Sequence, residues 1–218
     1  MFNRTTFLIL LVALATGAGL WAAEYFHRRD THDGPELQTV RLLSQPRELP
    51  AFSLQQSDRT QLVPGELRGH WTVVFIGFTF CPDVCPTTLG ALAQSQKQWT
   101  ALPESTRPRV LFVSVDPERD TIERIGEYAH AFHRDTLAAT ADLPSLERFT
   151  RSLSLVFAKV PAGEDQPPEH YSVDHSATLV VLDPQGRMAG VIQPPLEPGK
   201  IAADLAALSA STSAHRNE

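Results

Sequence analysis

Residues 72–89 read TVVFIGFTFCPDVCPTTL, and this stretch decides the fold class expected of the chain. Residues 72–80 form a run rich in β-branched and aromatic side chains, which is typical of a strand covered on both faces. Pro86 lacks a backbone N–H and suits the first turn of a helix, and residues 87–99 carry apolar side chains at helical spacing. The sequence therefore predicts a buried strand, a short loop and a helix, in that order.

Cys81 and Cys85 are the only cysteines of the chain, and they lie between this strand and this helix. The N–H groups at a helix start stabilise an anionic sulfur, so both thiols are candidates for chemistry. A structural disulfide, a dithiol–disulfide redox pair and a pair of metal ligands are all open. A disulfide across so short a loop would restrict the unfolded chain little, and redox pairs usually have two residues between the cysteines rather than three. The spacing favours a metal clamp.

The rest of the chain supplies strands and helices in an alternating order. We expect a hairpin over residues 49–63, strands over 109–115, 155–160, 177–182 and 188–192, helices over 122–133, 143–153 and 200–208, and a proline-rich loop over 162–173. This order predicts an α/β protein with a thioredoxin-like mixed sheet flanked by helices.

A third metal ligand is needed beside the two sulfurs, and His175 is the best of the eight histidines. It directly precedes the strand expected at residues 177–182, whose start faces the cysteine loop in a thioredoxin-like fold. Two thiolates and one imidazole suit three-coordinate Cu(I), and an added oxygen ligand would suit Cu(II). A closed zinc site would need a fourth ligand. Cys81, Cys85 and His175 therefore predict a copper site.

Other polar residues are weaker candidates for this site. Asp174, beside His175, could orient the imidazole or contact a partner. His170 lies in the preceding loop, where we expect a surface position. Residues 116–121, DPERDT, follow the second buried strand at the same end of the sheet as the cysteines. We interpret them mainly as a turn and a helix N-cap, with a contact to the site as the alternative.

The N-terminal segment contains a long uncharged run, unlike the rest of the chain. Residues 7–23 are 17 uncharged residues, which span roughly 26 Å as a helix, near the lower limit for crossing a bilayer. We expect a membrane anchor over residues 1–24, with Trp21 and Tyr25 at the membrane interface. A cleaved signal peptide is the alternative. We expect a single-pass protein of a bacterial-type inner membrane with its domain on the periplasmic side, or a soluble exported protein after cleavage.

The amino-acid composition predicts the remaining boundaries between tether, folded domain and tail. We expect a flexible tether over residues 25–48, a folded domain over 49–209 and a disordered tail over 210–218. The formal net charge of −6 argues against a nucleic-acid partner, because such partners require a clustered basic surface.

Three blocks of sequence together resemble the Sco/SenC family of membrane-anchored copper proteins. They are GFTFCPDVCP at residues 77–86, VSVDPERDT at 113–121 and VDHS at 173–176, and they occur in the family's order. The match covers roughly residues 49–208.

The resemblance implies a thioredoxin-like fold with copper bound by Cys81, Cys85 and His175. It also implies a copper chaperone, a binding protein rather than an enzyme, that helps assemble the binuclear copper centre of cytochrome c oxidase. Its partners would be the copper-acceptor subunit of the oxidase, the membrane and, as a further candidate, a second periplasmic copper donor. The alternative is a membrane-tethered thiol–disulfide reductase, in which Cys81 and Cys85 reduce the cysteines of the copper acceptor.

Overall fold

The computed structural model describes residues 3–29 and 35–216 of the chain, without the side chains of residues 5, 10, 25–29, 168 and 213–216. The chain divides into two compact units, residues 1–35 and residues 36–218. The helices are α1 Arg4–Arg29, α2 Val84–Trp99, α3 Ile122–Phe132, α4 Leu143–Ser152 and α5 Pro198–Arg216. The strands are β1 Arg41–Arg47, β2 Leu54–Gln56, β3 Gln61–Leu62, β4 Thr72–Gly77, β5 Arg109–Ser114, β6 Thr136–Thr140, β7 Phe157–Val160, β8 Ser172–His175, β9 Leu179–Leu182 and β10 Met188–Ile192.

The first unit holds helix α1. Its segment Thr6–Glu24 has 19 residues with a mean hydropathy of 2.0, which is long and apolar enough to cross a membrane. A signal sequence passes the same test by length and composition, so the choice between anchor and signal stays a prediction. The Trp21 side chain is exposed, like nearly all the described side chains of α1, so its place at a membrane interface stays a prediction. The side chain of Tyr25, the second expected interface residue, lies outside the described part of the chain.

The second unit is built on a mixed eight-stranded sheet with the order β1-β10-β9-β4-β5-β6-β2-β3. Strands β4, β5 and β6 are parallel neighbours, whereas β9 pairs antiparallel with β4. All six residues of β4 are buried, as expected for a central strand with helices on both faces. The thioredoxin-like mixed sheet predicted from the sequence is thereby confirmed.

The register of β4 and β5 positions the candidate site. Gly77 at the end of β4 is paired with Ser114 at the end of β5. Because the strands are parallel, the loops that follow them leave the same edge of the sheet. One loop leads through Cys81 to α2, and the other is the segment 116–121 that leads to α3. Each loop can therefore contact the other.

The sheet contains one more parallel strand than we predicted. β6, with the sequence TLAAT, pairs along β5 from Thr136 opposite Val110 to Ala139 opposite Val113. Its alanines give a weak strand signal, and its conformation comes from pairing with β5. The segment 155–160 is a strand as predicted, but it pairs with β8 in a separate two-stranded sheet. β8, which we did not predict, begins within the last two residues of the expected loop 162–173.

The domain also begins earlier than expected, because residues 36–48 belong to the second unit rather than to a tether. β1 pairs antiparallel with β10, and all its side chains are exposed, so no hydrophobic alternation marks it in the sequence. The buried carboxylate of Asp204 on α5 accepts the backbone N–H groups of Gln38, Thr39 and Val40 at 2.8–3.0 Å. Backbone hydrogen bonds therefore join this segment to the domain.

The closing helix is longer than expected at its C-terminal end. α5 continues to Arg216, whereas we expected a disordered tail over residues 210–218, of which residues 217–218 lie outside the described part of the chain. The Trp71 indole N–H donates to the Thr212 hydroxyl at 3.1 Å. This contact attaches the last turns of α5 to the domain.

We predict that Asp204→Ala lowers the free energy of unfolding by about 2–4 kcal/mol, because three backbone N–H groups lose a charged acceptor. Urea denaturation of the two proteins measures the difference. The matched control is Asp165→Ala, which removes an exposed loop carboxylate and should change stability by less than about 0.5 kcal/mol. Equal effects of the two substitutions would contradict the anchoring role of Asp204.

Candidate metal centre

The two cysteines lie at the start of α2, as the sequence predicted. The Cys81 N–H donates to the Phe78 carbonyl at 3.3 Å and forms a turn after β4. Cys85 is the second residue of α2 and is fully buried, whereas Cys81 is half-buried, and both are free thiols. The Cys85 N–H, one of the unpaired donors of the first helical turn, points to the Cys81 sulfur at 3.4 Å.

Gly77 provides the space for the buried sulfur. A Cβ atom at this position would lie 2.8 Å from the Cys85 Sγ and 3.2 Å from the rings of Phe75 and Phe112. Side chains do not approach one another so closely, so any larger residue would have to displace the thiol. The last residue of β4 therefore determines how deeply Cys85 is buried.

His175 ends β8 and reaches the cysteines from the other side of the site. Its Nε2 atom lies 3.4 Å from the Cys85 Sγ, and its Nδ1 atom lies 3.2 Å from the Ser176 carbonyl oxygen. A carbonyl oxygen only accepts, so Nδ1 carries the proton and the Nε2 lone pair faces the sulfur. The rings of Phe75 and Phe78 contact the imidazole edge-to-face, with centroids 5.8 and 6.1 Å away.

The structure thus brings together the three side chains that the sequence singled out. The ligand atoms of Cys81, Cys85 and His175 all lie within 4.8 Å of one another. Two sulfurs bound to one ion at about 2.3 Å lie at most about 4.6 Å apart, so a soft metal ion would need little rearrangement here. Among the residues that the structure describes, no other three His, Cys, Asp or Glu side chains are grouped in this way.

Burial sets the protonation of two of these groups. It raises the pKa of the Cys85 thiol. The nearby Cys81 and Asp120 raise this pKa further, whereas a hydrogen bond with the Phe78 backbone lowers it. Burial also lowers the pKa of His175, against the opposing effects of the Ser176 carbonyl and Asp174. At neutral pH the imidazole is therefore a neutral ligand, whereas a metal must displace the proton of the Cys85 thiol.

Asp120 holds the cysteine loop in place. Its buried carboxylate accepts the Thr79 N–H at 2.9 Å, the Thr79 hydroxyl at 2.5 Å and the Ser114 hydroxyl at 2.5 Å. The expected helix cap is present one residue later, where the Thr121 hydroxyl accepts the Arg124 N–H. The segment 116–121 is therefore a turn and cap, as interpreted, and also a support for the site.

Asp116 makes a second set of contacts, directed at the strand that carries His175. Its buried carboxylate accepts Arg119 Nε and the Tyr171 hydroxyl, both at 2.6 Å. We did not predict a role for Tyr171, because it precedes an unpredicted strand in a proline-rich segment, where no residue spacing indicates a functional position.

The other candidates lie outside the cluster. Asp174 is exposed on β8, and His170 is exposed in a short 3-10 turn, Pro168–His170. His70 contacts the Arg107 carbonyl and Arg109, His130 is an exposed residue of α3, and His133 follows the end of that helix. The side chains of three further histidines lie outside the described part of the chain: His27, His32 and His215.

Comparison with known proteins identifies the family. The SCO1/SenC family model matches residues 41–210. The chain belongs to the SCO1/SenC family. The resemblance seen in three short blocks is therefore confirmed over most of the length.

Two relatives illustrate the similarity. The mitochondrial SCO2 homologue of Bos taurus is 34% identical over 178 residues, which are 81% of this chain and 66% of the relative. A putative copper-binding protein of Stutzerimonas stutzeri is 33% identical over 160 residues, 72% of this chain and 75% of the relative. The match thus spans about two thirds of the mitochondrial relative's length.

Solved Sco structures share the fold. Apo Sco1 of Thermus thermophilus has a TM-score of 0.68 at 32% identity, over 80% of this chain and 99% of that one. Copper-bound ScoI of Bradyrhizobium japonicum has a TM-score of 0.64 at 28% identity, over 72% and 96% of the two chains. Copper is therefore a known ligand within this family.

We predict that Gly77→Ala lowers the free energy of unfolding by about 1–3 kcal/mol, since the new methyl group overlaps the Cys85 sulfur. Urea denaturation measures the loss. Gly90→Ala on α2 is the control, because its Cβ would meet nothing within 4 Å and should stabilise the helix by roughly 0.5–1 kcal/mol. If Gly77→Ala were as stable as the unsubstituted protein, the close approach would not constrain the site.

Proposed function

We propose that this protein binds one copper ion through Cys81, Cys85 and His175 and delivers it to the copper-acceptor subunit of cytochrome c oxidase, during assembly of the binuclear copper centre. The observation that carries the proposal is the convergence of the three ligand atoms within 4.8 Å. Two thiolates and a neutral imidazole suit Cu(I). Family membership supports it, since relatives are described as copper-binding or with copper bound, and the relative BsSco is described as a member of the Sco family of cytochrome c oxidase assembly proteins.

The unequal burial of the ligands suits transfer by ligand exchange. Cys85 is fully buried, whereas Cys81 and His175 are partly accessible, so an incoming ligand would reach the ion from their side. Phe80, directly before Cys81, and Val84, directly before Cys85, expose 49% and 45% of their surface. Such apolar side chains at a metal entrance suit transient contact with an acceptor protein.

A thiol–disulfide reductase is the second candidate, favoured by the pairing of an accessible and a buried thiol. The Cys81 thiolate would attack a disulfide of the acceptor, form a mixed disulfide and release one acceptor thiolate. Cys85 would then lose its proton and attack the Cys81 sulfur, releasing the second acceptor thiolate. The chain would end as a Cys81–Cys85 disulfide, and the acceptor would gain two electrons.

Copper titration of the reduced protein tests the ligand set. We expect one Cu(I) per chain, and we expect His175→Ala to weaken binding by about 10-fold or more, since losing a ligand costs at least as much as losing its support. Cys81→Ser and Cys85→Ser should each abolish tight binding. His130→Ala, at an exposed position on α3, is the control and should bind like the unsubstituted protein. Unchanged affinity in any ligand variant would remove that residue from the proposed set.

The same His175→Ala variant separates the two candidate functions. A reductase needs no imidazole ligand, so this variant should keep its rate of reduction of an acceptor disulfide while losing copper transfer. Parallel assays with an isolated oxidase copper domain measure both. Complete transfer of copper by the variant would contradict the chaperone proposal.

Fractionation of cells tests the membrane anchor. We expect the full-length chain in the inner membrane, with the domain sensitive to protease added to spheroplasts. A chain truncated before residue 36 serves as the soluble reference. Recovery of a shortened chain in the soluble periplasmic fraction would instead establish cleavage of a signal peptide.

A further inference from the structure

His175 is carried by an element with little support of its own. β7 and β8 form a two-stranded sheet of four residue pairs, separate from the eight-stranded sheet. An isolated two-stranded ribbon is only marginally stable in water. The position of His175 must therefore depend on contacts that hold this ribbon against the rest of the domain.

A set of hydrogen bonds around Arg119 holds the start of β8. Arg119 Nη1 donates to the carbonyl oxygens of Tyr171 at 2.9 Å and Glu169 at 3.2 Å, while its Nε donates to Asp116 at 2.6 Å. The Tyr171 hydroxyl donates to the same carboxylate at 2.6 Å. One guanidinium thus joins the segment 116–121 to the segment that leads into His175.

The same guanidinium is part of a longer series of contacts, which we call the cation–aromatic ladder. Arg124 lies 5.0 Å from the Phe80 ring, Arg119 lies 4.9 Å from the Phe80 ring and 3.6 Å from the Tyr171 ring, and Lys159 lies 3.8 Å from the Tyr171 ring. The ladder therefore runs from α3, through the cysteine loop, to Tyr171 just before β8 and to Lys159 on β7.

The two aromatic residues that Arg119 contacts are connected along the chain to the metal ligands. Phe80 directly precedes Cys81, and Tyr171 directly precedes β8, the strand that ends at His175. Arg119 contacts both rings, and only 16% of its side chain is exposed. Cation–aromatic contacts strengthen when they are desolvated. The Arg119 Nη2 atom is buried without a hydrogen-bond acceptor among the described residues, which leaves it to the aromatic faces.

We propose that Arg119 is a positioning residue: through the ladder it couples the cysteine loop to the ribbon and so sets the approach of His175 to Cys81 and Cys85. This inference rests on the proposed copper site. It assigns to the segment 116–121 a role in copper affinity that goes beyond capping α3. Arg119 acts through His175 and does not touch the ion.

A double-mutant cycle on copper affinity tests this coupling. Arg119→Gln removes the charge and the forked donors, and we expect it to weaken Cu(I) binding by about 10-fold, as loss of support for a ligand does. Because Arg119 acts through His175, the double variant Arg119→Gln, His175→Ala should bind no more weakly than His175→Ala alone. Arg148→Gln, which removes an exposed arginine of α4 that donates to the Ser145 hydroxyl, should have no effect. Additive losses, or unchanged affinity in Arg119→Gln, would overturn the proposal.

Hydrogen exchange of the metal-free protein gives a readout that needs no copper. In Arg119→Gln, the amides of residues 172–175 should exchange about 10-fold faster, while those of β5 keep their rates. Unchanged exchange in the ribbon, or equal acceleration in β5, would contradict a local positioning role. If His175→Ala bound copper normally, the proposed ligand set would fail, and this measurement would still decide whether Arg119 holds the ribbon.

Discussion

The site depends on how closely the Cys85 sulfur approaches the end of β4. Gly77 leaves room for that sulfur where any Cβ would lie 2.8 Å away, so the thiol lies at the edge of the core rather than on the surface. Burial keeps the thiol protonated and holds one face of the site away from water. The other two ligands then reach this buried sulfur from segments that are more accessible.

Two buried carboxylates hold the segments that carry these ligands, one for the cysteine loop and one for the strand of His175. Asp120 bonds Thr79 in the cysteine loop and Ser114 at the end of β5, while Asp116 bonds Tyr171 and Arg119 beside the ribbon. Both aspartates belong to one short turn, residues 116–121. This turn lies at the same edge of the sheet as the cysteine loop, because β4 and β5 are parallel and end in register. A single segment can therefore support the cysteine loop and the histidine ribbon at once.

The site was easier to predict than the strands around it. A hydrophobic run followed by Cys81, Cys85 and Pro86 predicts a strand, loop and helix from local sequence alone, and the fold order then places His175 opposite the sulfurs. β6 could not be predicted in this way, because its alanines form a strand through pairing with β5 and β2, which are distant in sequence. β1 and β8 likewise owe their conformation to remote partners, namely β10 for one strand and β7 for the other. Tyr171 and Asp204 contact residues that are distant in sequence, so no local sequence pattern predicts their roles.

Copper X-ray absorption spectroscopy of the Cu(I)-loaded, reduced protein reports the atoms bound to the ion, and so tests whether Cys81, Cys85 and His175 together bind copper. We expect two sulfur scatterers and one nitrogen with the multiple scattering of an imidazole ring. A spectrum with sulfur alone, or with the imidazole signal unchanged in His175→Ala, would contradict this ligand set.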